Sequence, residues 1–255
     1  MVTDLFGETP ESRSIEYLRM WEPPEGYWLA FSGGKDSVVL HELARRSGVK
    51  FEAHYNVTTI DPPEVLRFMR DHYPDLQWDK PRMTFCQGIQ RNQLPMRQGR
   101  WCCEELKERG GEGRVVLTGV RAAESARRAA YGVVRPCLRG KGKTLVNPML
   151  HWTDADVWGF IRGEGLPYCS LYDEGWARIG CICCPFERNV AESMARWPRQ
   201  WEKIKQAIAQ KYPTAKAWQK FGSPEAVFEW WTDRDRPQVQ EDDQQMAFDQ
   251  FGEGS

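Results

Sequence analysis

The chain has 255 residues, 41% of them hydrophobic, and a formal net charge of −1. That length suits one α/β domain with an appendage, or two small domains. The near-zero charge excludes a global field drawing the chain to nucleic acid or membrane, so any such contact must be local. No run approaches the ~18 apolar residues of a membrane span. Met1 to Pro10 is acidic and lacks the apolar core of a signal peptide. A cytoplasmic location is the expectation. Thiols stay reduced there, so eight cysteines point to metal or redox chemistry rather than disulfides.

In chain order, Met1 to Ser12 reads as flexible, and Ile15, Leu18 and Met20 mark a short helix packing on the adjoining domain. Pro23-Pro24-Glu25-Gly26 breaks it. Tyr27 to Phe31 is an apolar strand, and Val38, Val39, Leu40, Leu43 and Ala44 give the buried face of a helix. Ser32-Gly33-Gly34-Lys35-Asp36-Ser37 therefore occupies a strand-to-helix turn. Gly33 and Gly34 allow a tight bend and close approach to a ligand. The helix start attracts an anion, and the two serine hydroxyls and Lys35 add to a phosphate cradle. The spacing is not that of Walker A.

Val49 to Val57 reads as a second strand, with Asp61 as a cap and Pro62 at the first position of the next helix. The same tip would stand at the carboxyl edge of a parallel sheet, where α/β folds bind ligands. Val65 to Tyr73 is an amphipathic helix, Trp78 to Arg82 a short strand, and Phe85 to Gln93 and Trp101 to Lys107 are helical. Arg114 to Thr118 is a strand, Arg135 to Lys143 a basic loop, and Leu145 to Met149 a strand. Thr153 caps a helix from Val157 to Gly163. Val190 to Tyr212, Ala215 to Phe221 and Ala226 to Trp231 are helical, with a break at Pro198 and five tryptophans packing them. Alternating strands and helices predict a parallel sheet with helices on both faces.

Cys181-x-x-Cys184 and the Cys102-Cys103 pair at a helix start supply four soft ligands, suited to tetrahedral zinc or to an iron–sulfur cluster. The divergent directions of adjacent cysteines favour a 4Fe–4S cluster. Cys86, Cys137 and Cys169 read as small core residues. Cys183 stays open, as an alternative ligand or a thiol beside the cluster.

Ser32 to Ser37 resembles the PP-loop of the ATP pyrophosphatases. With Cys102-Cys103, the segment Thr118-Gly119-Val120-Arg121-Ala122-Ala123-Glu124-Ser125-Ala126-Arg127-Arg128 and Cys181 to Cys184, the chain resembles the phosphoadenosine phosphosulfate reductase family from Trp28 to about Phe186. The resemblance implies an adenine nucleotide alpha hydrolase-like (Rossmann-like) sheet, with a C-terminal helical region. It divides the chain into an N-terminal helix and linker (1–26), a PP-loop domain with the cysteines (27–186), a helical region (187–232) and a disordered acidic tail (233–255).

It further implies that Ser32, Gly33, Gly34, Lys35, Asp36, Ser37, Asp61, Arg121, Glu124 and Ser125 bind ATP. Lys35, Asp36, Arg121 and Arg128 would serve its chemistry, with Mg2+ at Asp36 or Asp61. Cys102, Cys103, Cys181 and Cys184 would hold the cluster. Assimilatory members of the family carry a cysteine in a C-terminal Glu-Cys-Gly-Leu segment, and no cysteine follows Cys184 here. The resemblance is thus closer to the ATP-pyrophosphatase branch, which includes DNA phosphorothioation enzymes. The function expected is substrate adenylation with pyrophosphate release, for sulfur transfer. Its partners would be a sulfur-donor protein and an acceptor that includes nucleic acid; a homo-oligomer stays open. Two alternatives remain. One is a reductase of adenosine phosphosulfates fed by a reduced thiol partner, with Cys183 as nucleophile. The other is a nucleic-acid-binding module with a structural cluster, gripping through Arg100, Arg135, Arg139, Lys141 and Lys143.

Overall fold

The computed structural model of the chain describes residues 9–137, 142–187 and 189–233. In chain order the helices are α1 (Pro10–Met20), α2 (Lys35–Ser47), α3 (Pro63–His72), α4 (Phe85–Asn92), α5 (Ala126–Ala129), α6 (Asp154–Gly163), α7 (Val190–Arg196), α8 (Pro198–Lys211) and α9 (Pro224–Thr232). The strands are β1 (Tyr27–Ala30), β2 (Phe51–Asn56), β3 (Gln77–Asp79), β4 (Val115–Leu117), β5 (Val134–Pro136) and β6 (Thr144–Val146). These elements fall into two compact units. The first is Met1–Asn56, Pro63–Lys80 and Arg109–Ile179; the second is Val57–Pro62, Pro81–Glu108 and Gly180–Ser255.

The first unit holds a six-stranded sheet in the order β3-β2-β1-β4-β6-β5. All pairings are parallel except β5 with β6. β1 is central, which is why Tyr27, Trp28 and Leu29 are all buried rather than alternating. From β1 the chain steps to β2 and β3 on one side, and later to β4 on the other. The β1/β4 boundary is therefore the topological switch point, where open α/β sheets place their ligands. Leu29, Val39, Leu40, Leu43, Leu117 and Val146 are almost fully enclosed, each stabilising by roughly 1.5–3 kcal/mol. α2 packs against α1 and α6.

The ends of several elements differ from their sequence reading. Residues 10–12 are not flexible: Thr9 and Ser12 form a reciprocal capping box and Pro10 opens α1. Pro10 there needs no amide partner, so the helix starts early. α3 begins at Pro63, not Pro62, and Asp61 accepts from the Thr58 amide and hydroxyl. Arg135 lies on β5 rather than in a loop, with its guanidinium 3.9 Å from the centre of the Tyr131 ring. The third strand ends at Asp79, short of Arg82. The basic residues Arg139 and Lys141, and residues 234–255 of the expected acidic tail, lie outside the described residues.

In the second unit α8 packs against α4, α7 and α9. Trp201, Trp218 and Trp231 fill that helical core. The indole of Trp201 donates to Ser193 Oγ (3.0 Å) and that of Trp231 to the Pro95 carbonyl (2.9 Å). Their polar atoms are thus satisfied in burial, as large amphipathic rings require. Pro198 occupies the first position of α8, and the break between α7 and α8 falls at Trp197. No helix among the described residues is long and apolar enough to cross a membrane.

Candidate functional site

At the switch point β1 runs into Phe31-Ser32-Gly33-Gly34 and then α2. Gly33 has φ +72, and a Cβ there would stand 2.7 Å from Val65 Cγ1 of α3, so the bend demands glycine on both counts. Gly34, the N-cap residue of α2, has no side chain with which to cap the helix. Ser37 Oγ donates to the Gly34 carbonyl (2.8 Å) and accepts from the Ser32 amide (3.2 Å), which closes the loop on itself. The Lys35 amide donates to the Tyr172 phenol oxygen at 2.9 Å. Just past the end of β4, Gly119 presses on the loop's helix: a Cβ there would meet the Asp36 carbonyl at 3.1 Å.

Lys35 and Asp36 belong to a charge network. Arg121, 2% exposed, donates through Nε to Asp36 Oδ1 and through Nη2 to Asp154 Oδ1, both at 2.7 Å, and through Nη1 to the Trp152 carbonyl at 3.3 Å. Lys35 Nζ stands 3.3 Å from Asp36 Oδ2 and 3.3 Å from Asp154 Oδ1. Burial opposes ionisation of Asp154, but Lys35 and Arg121 outweigh it and hold its carboxyl below the ordinary value. Two cations and two carboxylates leave this network formally neutral, so an incoming anion would meet the positive end of the α2 dipole rather than a naked guanidinium.

The segment after β4 is likewise knit together. Glu124 accepts from the Arg121 amide at 2.9 Å and pairs with the Arg128 guanidinium. Ser125 caps α5 by accepting from the Arg128 amide. Ser32 to Ser37, Arg121, Glu124, Ser125 and Arg128 all lie in the first unit. Asp61 lies in the second, where it accepts from Thr58 and from the Cys181 thiol at 3.8 Å. Two members of the network escaped the sequence reading. Neither Asp154 nor Tyr172 is singled out there. Both meet the loop only through long-range folding, which no local pattern reports.

All four predicted thiols lie in the second unit. Cys103 sits in a single turn of π-helix, Cys103–Lys107, and accepts from Arg100 Nη1 at 3.5 Å. The loop of Cys181 to Cys184 is tied to the 57–62 segment by the Ile182 amide on the Ile60 carbonyl (2.7 Å), and Arg97 Nε holds the Pro185 carbonyl (3.1 Å). A hydrogen bond between the Cys102 and Cys103 thiols pushes Cys102 up and Cys103 down, with Arg100 and Lys107 helping Cys103. Cys102 also feels Cys181 and Cys184, and burial with the Asp61 carboxylate pushes Cys181 up to about 12. Four thiols suit a sulfur-ligated group in donor chemistry. No group of three or more His, Cys, Asp or Glu among the described residues is already set to hold a metal ion. Cys183 differs from its neighbours in being fully buried, with φ +65.

Residues 26–187 match the family described as the phosphoadenosine phosphosulfate reductase domain. The chain is 28% identical over 213 residues to an adenosine 5′-phosphosulfate reductase of Allochromatium vinosum, covering 76% of this chain and 82% of that one. It is 30% identical over 212 residues to an uncharacterised protein of Methanocaldococcus jannaschii, spanning 76% of this chain but only 44% of that relative's length. Among solved structures, a phosphoadenylyl-sulfate reductase of Candida auris superposes with a TM-score of 0.52 at 18% identity, over 70% of this chain and 90% of that one. That likeness is one of fold.

Proposed function

Since the chain belongs to the phosphoadenosine phosphosulfate reductase domain family, we propose that its switch-point loop binds the phosphates of ATP and that the protein adenylates a substrate for sulfur transfer. The observation that carries this reading is the start of α2 behind a glycine N-cap, directly after a glycine bend at the β1/β4 boundary. Amides at such an end hold phosphate oxygens with charge-assisted hydrogen bonds. Ser32 and Ser37 line the bend, and Lys35 supplies a cation once the incoming phosphate competes with Asp36 and Asp154 for it. Arg121 fixes both carboxylates, and Asp36 would be the residue to hold Mg2+, which would offset phosphate charge when bound. Arg128 and Glu124 brace the loop after β4.

In the reaction an acceptor oxygen attacks the α-phosphorus, and the bond to the β-phosphate oxygen breaks. Pyrophosphate leaves with the negative charge, which the α2 amides and Lys35 stabilise. A sulfide-level donor then displaces AMP from the acceptor. Cys102, Cys103, Cys181 and Cys184 would hold a 4Fe–4S cluster, which supplies redox or sulfur-carrying chemistry when bound.

A second reading, reduction of adenosine 5′-phosphosulfate, is favoured by one observation: the chain spans 82% of the Allochromatium vinosum reductase. A single pair of assays separates the two. Anaerobically prepared protein is given ATP with candidate acceptors and pyrophosphate is measured; in parallel it is given adenosine 5′-phosphosulfate with a reduced dithiol and sulfite is measured. Pyrophosphate is expected. Sulfite without pyrophosphate establishes the reductase, and ATP left uncleaved between its α- and β-phosphates with every acceptor ends the first reading.

A further inference from the structure

One polar group that the proposed chemistry leaves unused stands at the phosphate loop itself. Tyr172 ends a single 3-10 turn, Ser170–Tyr172. Its ring is wedged edge-on against Trp158 of α6, with centroids 5.0 Å apart at 87°, and against Tyr168 at 6.4 Å. Those contacts fix the phenol oxygen over the start of α2. There it accepts from the Lys35 amide at 2.9 Å. A Cβ placed on Gly34 would lie 3.5 Å from that oxygen and 3.5 Å from Ser32 Oγ, so the two hydroxyls flank the same bend. An amide acceptor uses only a lone pair, so the phenol keeps its proton for another partner. Among the described residues no hydrogen bond accepts that proton.

We propose that the Tyr172 hydroxyl is a further phosphate-binding group, donating its proton to a non-bridging phosphate oxygen of the nucleotide held at the α2 N-terminus. This rests on the reading of the loop as a nucleotide site. The phenol extends the cradle by one donor beyond the serine hydroxyls of the bend. It also passes on the polarity of the helix end, because an oxygen that accepts from Lys35 N–H donates more strongly. Burial pushes the phenol above its ordinary range and the Lys35 amide only partly offsets this, so the group is a neutral donor across the physiological range. The ligand it recognises is a tetrahedral phosphate, not the base or the ribose.

The test compares wild type with Tyr172→Phe by calorimetry, using pyrophosphate, ATP and adenosine as separate probes. Phenylalanine keeps the ring contacts with Trp158 and Tyr168 and removes only the oxygen. Pyrophosphate and ATP are expected to bind about ten- to a hundredfold more weakly, the range for a hydrogen bond to a charged group. Adenosine affinity is expected to stay the same. Equal or tighter pyrophosphate binding overturns the proposal, because the phenol would then be a placeholder that the phosphate expels. A parallel loss for adenosine also overturns it, because the oxygen would then be acting through the fold. If wild type binds neither pyrophosphate nor ATP, the nucleotide reading fails first and takes this inference with it.

Discussion

Arg121 is a cation with almost no exposure, and its neighbours explain how the fold tolerates it. A guanidinium out of water is costly unless its donors are filled, and here two carboxylates and a carbonyl fill them. The sequence placed Arg121 in a phosphate-neutralising role; its surroundings make it the post to which Asp36 and Asp154 are tied. Removing it by Arg121→Ala should therefore destabilise by about 2–4 kcal/mol, less than for a fully enclosed pair because Asp154 reaches solvent. Urea unfolding checks this, and a loss below about 0.5 kcal/mol would mean that the network carries no weight. Acid should act through the same group. The Asp154 carboxyl is held below its unfolded value of 3.8, so its contribution is complete above that pH and is lost as pH falls through the lower folded value. Wild type and Asp154→Asn should accordingly differ in stability near neutrality and converge below about pH 3.8. A difference that stays constant down to pH 3 would show that the charge on Asp154 is irrelevant.

At the level of elements, one glycine decides where the first cysteine pair sits. Gly88 lies inside α4, and a Cβ there would stand 2.0 Å from Cη2 of Trp101. Trp101 stacks on Phe85 at 5.5 Å and donates to the Gln93 carbonyl at 3.2 Å, directly before Cys102. Helix propensity alone says that Gly88→Ala should stabilise α4 by up to ~1 kcal/mol. Overpacking against a rigid indole outweighs this, so the expected result is a loss of about 1–3 kcal/mol, together with less iron or zinc bound per chain after anaerobic purification. A stabilised variant with unchanged metal content would show that Trp101 does not seat the cysteines. Elements with a capping signature or a continuous apolar run were legible from sequence: β1, α2, the Thr153-capped α6 and the Pro198 break all stand where the residues put them. Elements defined by a partner were not. β5 is three residues whose strand character comes from pairing with β6; residues 101–107 are helical as read, though no side-chain period announces the π-turn at Cys103–Lys107.

Across the whole molecule, the chain passes repeatedly between its two units. The linear reading of residues 27–186 as one block therefore mixes segments of both. The expected phosphate loop could be named because six consecutive residues carry it, and the expected thiol set because cysteine pairs are conspicuous. Asp154 and Tyr172 could not, since each meets Lys35 from more than a hundred residues away. The division has a measurable consequence. The loop, Arg121 and Tyr172 lie in the first unit, and Cys102, Cys103, Cys181 and Cys184 in the second. A ligand stabilises the part of the fold that binds it, by about 2.7 kcal/mol at a hundred times its dissociation constant. Hydrogen exchange with pyrophosphate should therefore slow the amides of residues 33–38 and 119–122 while leaving 101–107 and 181–184 unchanged. Reconstitution of the thiols with iron and sulfide should do the reverse. Protection of the cysteine segments by pyrophosphate alone would mean that phosphate binds at the thiols instead, and the assignment of the α2 N-terminus would be withdrawn.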